Sequence, residues 1–524
     1  MPMIRIPNAG SIGVIKDVAA HELPPNAWTD ALNVRFLDGA AMQFFGHGPT
    51  YGAPEVVPLH LCPVNIGNMR YWIYAGEKKI YASAIIDGET DHVNLTRQTS
   101  GADVDYSGEP NAWTSTVLSG IPILNPGNEA DPPQRWNLDV NSRFQTLDNW
   151  PANTFCKSMR AYKNFLVALN VTRDGANRPF LVLWSSPADP GGVPGSWASN
   201  DEDSESGETD LAEGSDPIID GLVLRDSLII YKEQSVYRMD FTGGTFVFNF
   251  RKVVGASGAM NRNCIVELPD GYHFVLTNSD VIVHDGQSAT SVLDKVARRE
   301  LFRDIDTEYA SRSFVFKNPF LNEVYVCYAS VGNTVPNKAM VWNYKDRTVT
   351  YRDIPALHHS AYGPVDNTLN DSWSSDNDAW ITDLTAWNVP AFTPNLMRVL
   401  MASADKQLLL LDSSVTFNGT PPASYMERRG LSFGEAEFTK LIVGIRPRIT
   451  GDPGETVIVR IGGHMKDPAA DPEYDAEIEF VIGEDIAVDC MVSYRYLAIR
   501  FESGSAVQWK IDSYDVEVKK GGKW

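Results

Sequence analysis

The chain has 524 residues, too many for one ordinary core, so it predicts two to four domains or one large repeat architecture. Hydrophobic residues make up 43% and aromatics 10%, which excludes disorder as the overall class. A net charge of −22 argues against holding nucleic acid through phosphate neutralisation, though not against a surface past which nucleic acid moves without sticking.

The first 13 residues, MPMIRIPNAGSIG, lack a basic stretch followed by an apolar one, and no apolar run reaches eighteen residues. The expectation is a protein without signal peptide or membrane span, made and folded in a cytosol. Cys62, Cys156, Cys264, Cys327 and Cys490 are odd in number and form no CxxC, so reduced core thiols are favoured over a disulfide framework or zinc site.

Residues 1–60 read as an extended lead-in. Short strands at Val34–Phe36 and Met42–Phe44 flank the turn Leu37-Asp38-Gly39. Such a segment packs on a neighbour or closes a sheet rather than forming a core. From 61 to 415 the chain predicts antiparallel hairpins. MRYWIYA and KIYASA turn at Gly76-Glu77, and RAYKNFLVALNV and PFLVLWS turn near Asp174-Gly175.

Between 201 and 220 lies DEDSESGETDLAEGSDPIID, with Asp201, Glu202, Asp203, Glu205, Glu208, Asp210, Glu213, Asp216 and Asp220 and no basic residue. It reads as a solvated loop. Calcium is the sharper alternative, but the EF-hand spacing is absent.

The stretch Gly221–Gly286 organises this body. Tyr237, Met239 and Phe241 alternate with Val236, Arg238 and Asp240, a Gly243-Gly244 turn follows, and Phe246, Phe248 and Phe250 repeat the alternation. A meander of this size matches one β-propeller blade. SVLDKVARRELFRDI (291–305) is the best helix candidate, with Ser291 as N-cap and Asp294 completing an approximate capping box. More hairpins follow at 312–329, 339–354 and 398–412, with no period sharp enough to count blades. Beyond a linker near Thr416–Ser424, residues 416–524 alternate cleanly and predict a separate β-sandwich.

No GxSxG, HExxH or P-loop occurs, nor a GxGxxG in strand–turn–helix context, and no cofactor is implied. His358-His359 are adjacent and would point to opposite faces of a strand, against a shared metal. Trp373, Trp380 and Trp387 could stack on sugars, but core packing is the favoured reading.

Several stretches together carry a family resemblance: LPPNAWTDALNVRFLDGAAMQFFG (23–46), GIPILNPGNEADPPQRW (120–136), LVLWSSPADPGGVPGSW (181–197), DGLVLRDSLIIYKEQSVYRM, VVGASGAMNRNCIVEL and GYHFVLTNSDVIVHDG. Their order resembles the tail nozzle proteins, or tail tubular proteins B, of short-tailed bacteriophages. The resemblance implies a propeller-like body with extra β domains and a structural, non-enzymatic role in the virion. It implies a homohexameric ring below the portal and adaptor, through which double-stranded DNA passes without specific binding. Whether tail fibres or spikes attach is left open. On this view Asp201, Glu202, Asp203, Glu205, Glu208, Asp210, Glu213 and Asp216 are candidates for a DNA-repelling channel or mouth. The alternative from another class is a glycan-binding or glycan-hydrolysing propeller acting on cell-surface polysaccharide.

Overall fold

The computed structural model describes residues 3–66, 69–86, 89–200, 204–244, 246–253, 257–365, 397–506 and 508–523. Among these, seven four-stranded antiparallel sheets follow one another along the chain. Each is a meander joined by tight turns. Asp174 and Gly175 both adopt positive φ (50° and 77°) between Phe165–Arg173 and Ala176–Trp184, as a two-residue hairpin requires.

The first strands of successive sheets pack side by side. His60–Ile66 lies against Leu357–Pro364, and contact passes through Phe314–Asn318, Ile265–Leu268, Ile218–Leu224 and Thr154–Tyr162 to Thr114–Leu118. His60 Nε2 and Ser115 Oγ, 2.9 Å apart, complete the circle. The body is therefore a seven-bladed β-propeller. Blade 7 takes three strands from Leu357–Pro364, Met397–Ser403 and Gln407–Ser414, and its fourth, Gly46–Pro49, from the start of the chain. Closing the ring with a strand from the far end removes an open edge.

The remaining strands form a two-sheet sandwich. One sheet runs Val34–Leu37, Ala40–Gln43, Trp509–Lys523, Phe438–Gly451, Val488–Tyr494, with Met3–Ile6 also paired to Trp509–Lys523. The other runs Asp30–Leu32, Ser424–Leu431, Tyr496–Ser503, Thr456–His464, Glu473–Val481. The lead-in thus supplies four strands to the sandwich and one to the propeller. Trp28 anchors it: fully buried, it meets Phe501 edge-on (79°) and donates its indole N–H to Ala9 O.

Sandwich and propeller share a core that runs from Ile445, Val459 and Ile499 to Phe274, Trp342 and Tyr351 of blades 5 and 6. Thr350 of blade 6 donates its hydroxyl to Val34 O at 2.6 Å. Beside it Arg35 makes a two-pronged pair with Glu323 (2.6 and 3.1 Å) and reaches Asp412 of blade 7 at 2.6 Å, which also takes Arg352 at 3.1 Å. Arg35 and Glu323 are 2% and 1% exposed. Burial disfavours the Arg35 cation, yet Asp412 and Glu323 hold its pKa above the ordinary value. Interlocked charges of this kind fix one docking geometry, because removing a single partner strands a buried charge.

The helix is shorter than its sequence pattern suggests. It covers Arg298–Asp304. Ser291 ends the last strand of blade 5, and its hydroxyl does accept Asp294 N–H at 3.0 Å. Lys295 then takes φ +59°, which a helix cannot accommodate, so the capping contact closes a turn instead of starting the helix.

Candidate functional site

In a propeller the first strand of each blade lines the axis, so polar side chains there define what the centre can do. Thr154–Tyr162 (blade 3) places Ser158 and Arg160 toward the axis, and Ile218–Leu224 (blade 4) brings Asp220 opposite. Asp220 accepts Arg160 Nε at 2.9 Å and Nη2 at 2.6 Å, Ser158 Oγ at 2.5 Å, and the backbone N–H of Gly221 and Asn263. Burial alone would raise its pKa. The Arg160 guanidinium, the Ser158 hydroxyl and Gly221 N–H outweigh that and hold the carboxyl below its usual range. Arg160 Nη1 meanwhile donates to Ser115 O of blade 2 at 3.0 Å.

At one end of the axis the segments leading into the blades are bonded directly to one another. Asn111, before blade 2, donates to Ser311 O and Ser313 O, before blade 6, both at 3.0 Å. Asn263, before blade 5, donates to Asn111 Oδ1 and Trp113 O. Arg262 Nη1 reaches Ala112 O, Gly127 O and Lys157 O. These bonds join blades that are not neighbours in the ring, so among the described residues they bridge the axis at this level. The network is a plug.

His60 and His359 line blades 1 and 7 with ring centroids 4.2 Å apart. His359 Nδ1 accepts Leu61 N–H, and its ring stacks on Phe314. Burial, with Arg160 nearby, lowers the His359 pKa to about 3; burial, then His359 and Arg160, lowers that of His60. Both rings are neutral at physiological pH. Among the described residues, adjacent His358 has its Nδ1 buried without a partner. Burial holds the thiols of Cys62, Cys264 and Cys490 protonated, with pKa values of about 11, 12 and 11.

The acidic candidates lie elsewhere. Asp201, Glu202 and Asp203 fall outside the described residues, as do Trp373, Trp380 and Trp387. Glu208 and Asp210 sit in Gly207–Asp210, the outermost strand of blade 3, where the sequence reading expected a loop. The segment is a strand because it pairs with Leu181–Trp184. Glu208 bonds Arg173 at 2.8 Å, and Asp216 pairs with Lys232 at 3.1 Å. Glu205 and Glu213 are exposed. The described part of the block therefore wraps the rim of blade 3 and the crossing into blade 4, away from the axis. Asp220, the last acid of the run, belongs to the plug. The signal that separates it is local: it interrupts the apolar strand IIDGLVL, where an unpaired carboxylate could not be buried.

No family model and no curated protein matches the chain. Among solved structures, a Bacteroides fragilis protein described as a 6-phosphogluconolactonase is similar over 68% of this chain and 88% of its own, at 10% identity and a TM-score of 0.36. The WD40 domain of Toxoplasma gondii coronin covers 73% of this chain and 87% of its own, at 8% identity and a TM-score of 0.36. An exo-beta-1,3-galactanase of Phanerochaete chrysosporium covers 90% and 100%, at 8% identity and a TM-score of 0.27. Likenesses this distant carry no weight for activity.

Proposed function

We propose that this chain is a structural subunit of a short-tailed phage virion, one of six in a tail nozzle below the portal and adaptor, without enzymatic turnover. The observation that carries the reading is the plugged axis. A propeller bonded across its centre, and locked to a sandwich through Arg35, Glu323 and Asp412, is a rigid block suited to building a wall. Double-stranded DNA then passes between subunits, not through any one propeller. The architecture, a propeller with an added sandwich, agrees with what the sequence resemblance implies. The net charge of −22 lets a phosphate backbone slide without adhering.

The competing enzymatic reading needs two carboxylates placed about a glycosidic bond. At the axis, Asp220 is already held by a guanidinium, a hydroxyl and two backbone N–H groups. The test is electron microscopy of the protein mixed with its adaptor–portal assembly. A six-fold ring whose hole lies between subunits is expected. A particle that stays alone, or that turns over surface polysaccharide, would sink the proposal. In such a ring, Glu208→Lys with Asp210→Lys and Glu213→Lys should slow DNA release and leave assembly intact. Unchanged release kinetics would remove the acidic rim from the channel.

A further inference from the structure

Two large clefts make a useful contrast. The first lies between residues 15–20, the short helix and the sandwich, and is lined by charges that already have partners. Lys16 pairs with Asp30 (2.8 Å) and Glu300 (3.4 Å), and Arg429 with Glu427 (3.0 Å) and Asp471 (2.9 Å). Such a cleft has little hydrogen-bonding capacity to offer a ligand.

The second lies between blades 5 and 6 and has a volume of about 510 Å3, within the range of roughly 300–1,000 Å3 typical of small-molecule sites. Its wall is aromatic. Trp342 stacks on Phe274 (centroids 5.4 Å apart, 23°), Tyr344 stands beside it at 59°, and Tyr272 flanks the opening, 39% exposed. Around these rings stand Asp270, Thr290 and Arg347. Among the described residues, the side chains of Asp270, Tyr272, Thr290, Tyr344 and Arg347 make no hydrogen bond or ion pair. Among the described residues the indole N–H of Trp342 has no acceptor either, and it is left facing solvent. Asp270 and Arg347 both lie at φ near +60° in the tight turns that frame the cleft, so the backbone fixes their positions.

We propose that this cleft binds a neutral oligosaccharide built of pyranose rings. The accessible rings of Tyr272 and Tyr344, seated on the buried Trp342–Phe274 stack, match the C–H faces of such sugars, which are apolar but carry outward hydroxyls. The carboxylate, the guanidinium, the hydroxyls and the indole N–H supply a mixed ring of acceptors and donors for those hydroxyls. One carboxylate and one guanidinium cancel in charge, which favours an uncharged ligand over an anionic one. The proposal does not depend on ring assembly and concerns the isolated chain.

The experiment is saturation-transfer NMR with isothermal titration on the full chain, using maltopentaose, cellopentaose, chitopentaose and galactopentaose as probes. At least one is expected to bind with a Kd of about 1 mM or tighter. Tyr272→Ala, Arg347→Ala and Trp342→Phe should each weaken it about tenfold or more, the last while keeping the stack on Phe274. Phe246→Ser, on the 81% exposed tip of blade 4, should change nothing. Absence of binding to all four sugars overturns the proposal, as does binding that the three cleft variants leave unaltered. Binding of an unrelated pentapeptide but no sugar at these residues overturns it as well.

Discussion

Asp220→Ala removes the acceptor that holds Arg160 and Ser158 of blade 3 to blade 4 beside the axial plug. The Arg160 side chain is 15% exposed and the Asp220 side chain 2%, so the truncation leaves a largely buried guanidinium with only Ser115 O as partner. Breaking one member of a buried pair costs about 3–5 kcal/mol. The residual access of Arg160 to water places the expectation near the lower end, about 3 kcal/mol, or roughly a hundredfold in an opening constant. Asp220→Asn keeps an acceptor for Ser158 and should cost less. Arg160→Met with Asp220→Leu removes both charges and should return most of the loss. Native-state hydrogen exchange suits a chain of this size, because it reads opening locally at amides of Thr154–Tyr162 and Ile218–Leu224. Protection factors in Asp220→Ala within about fivefold of the parent would refute the account of the Arg160–Asp220 pair as the joint between blades 3 and 4.

Acid should destabilise the fold above the range in which carboxylates titrate. Burial is the main cause of pKa values of about 3 for His47 and His359 and about 4 for His273 and His358. An unfolded histidine titrates near 6.5, so below that pH the unfolded chain binds more protons and stability falls, continuing down to the folded values. At pH 5 each such histidine forfeits about 2 kcal/mol, and the four together at most about 8 kcal/mol. Melting temperatures measured from pH 8 to pH 5 should be level at first and then drop below about 6.5; a level profile throughout would contradict the assigned burial. Separately, Gly46→Val should prevent the closing strand of blade 7 from seating, since a Cβ there would lie 1.8 Å from Thr416 O. A cost of about 3 kcal/mol or more is expected. Gly48→Ala, whose nearest neighbour is Ser413 Oγ at 3.7 Å, should be tolerated. Limited proteolysis near residues 46–60 distinguishes the two, and equal resistance would count against ring closure by this strand.

Much of the architecture was legible because strand patterning and turn chemistry are local. The alternation at 236–241 and the hairpin at Asp174-Gly175 stand as the sequence suggests. The pattern at 291–305 suggests a longer helix than forms, because no pattern of apolar residues announces the positive φ of Lys295. Seven blades could not be counted, since blade 2 ends in two-residue strands, Gln134–Arg135 and Gln145–Thr146, too short to show alternation. The axial plug was hidden for a different reason. Arg160 and Asp220 are distant in sequence, and Asp220 looks like the tail of an acidic run until its strand is placed. Pairing across such distances is a property of the ring and not of any segment.

The route of the lead-in through both bodies has a consequence for how the chain acquires its structure. Ile4 pairs with Val516, Ala41 with Ile511, and Gly48 with Leu410. The sandwich cannot finish before Trp509–Lys523 has been made, and blade 7 must wait for Gln407–Ser414, because the first strands need partners far along the chain. Contacts of such long sequence separation make folding slow. In the interval, the edges of blade 7 and of the sandwich stay open to wrong partners. A concentrated pool of nascent chains would therefore need protection until Gln407–Ser414 and then Trp509–Lys523 have paired. Trimming the first fifty residues would damage both bodies together, so the two cannot be produced separately by a cut near residue 416.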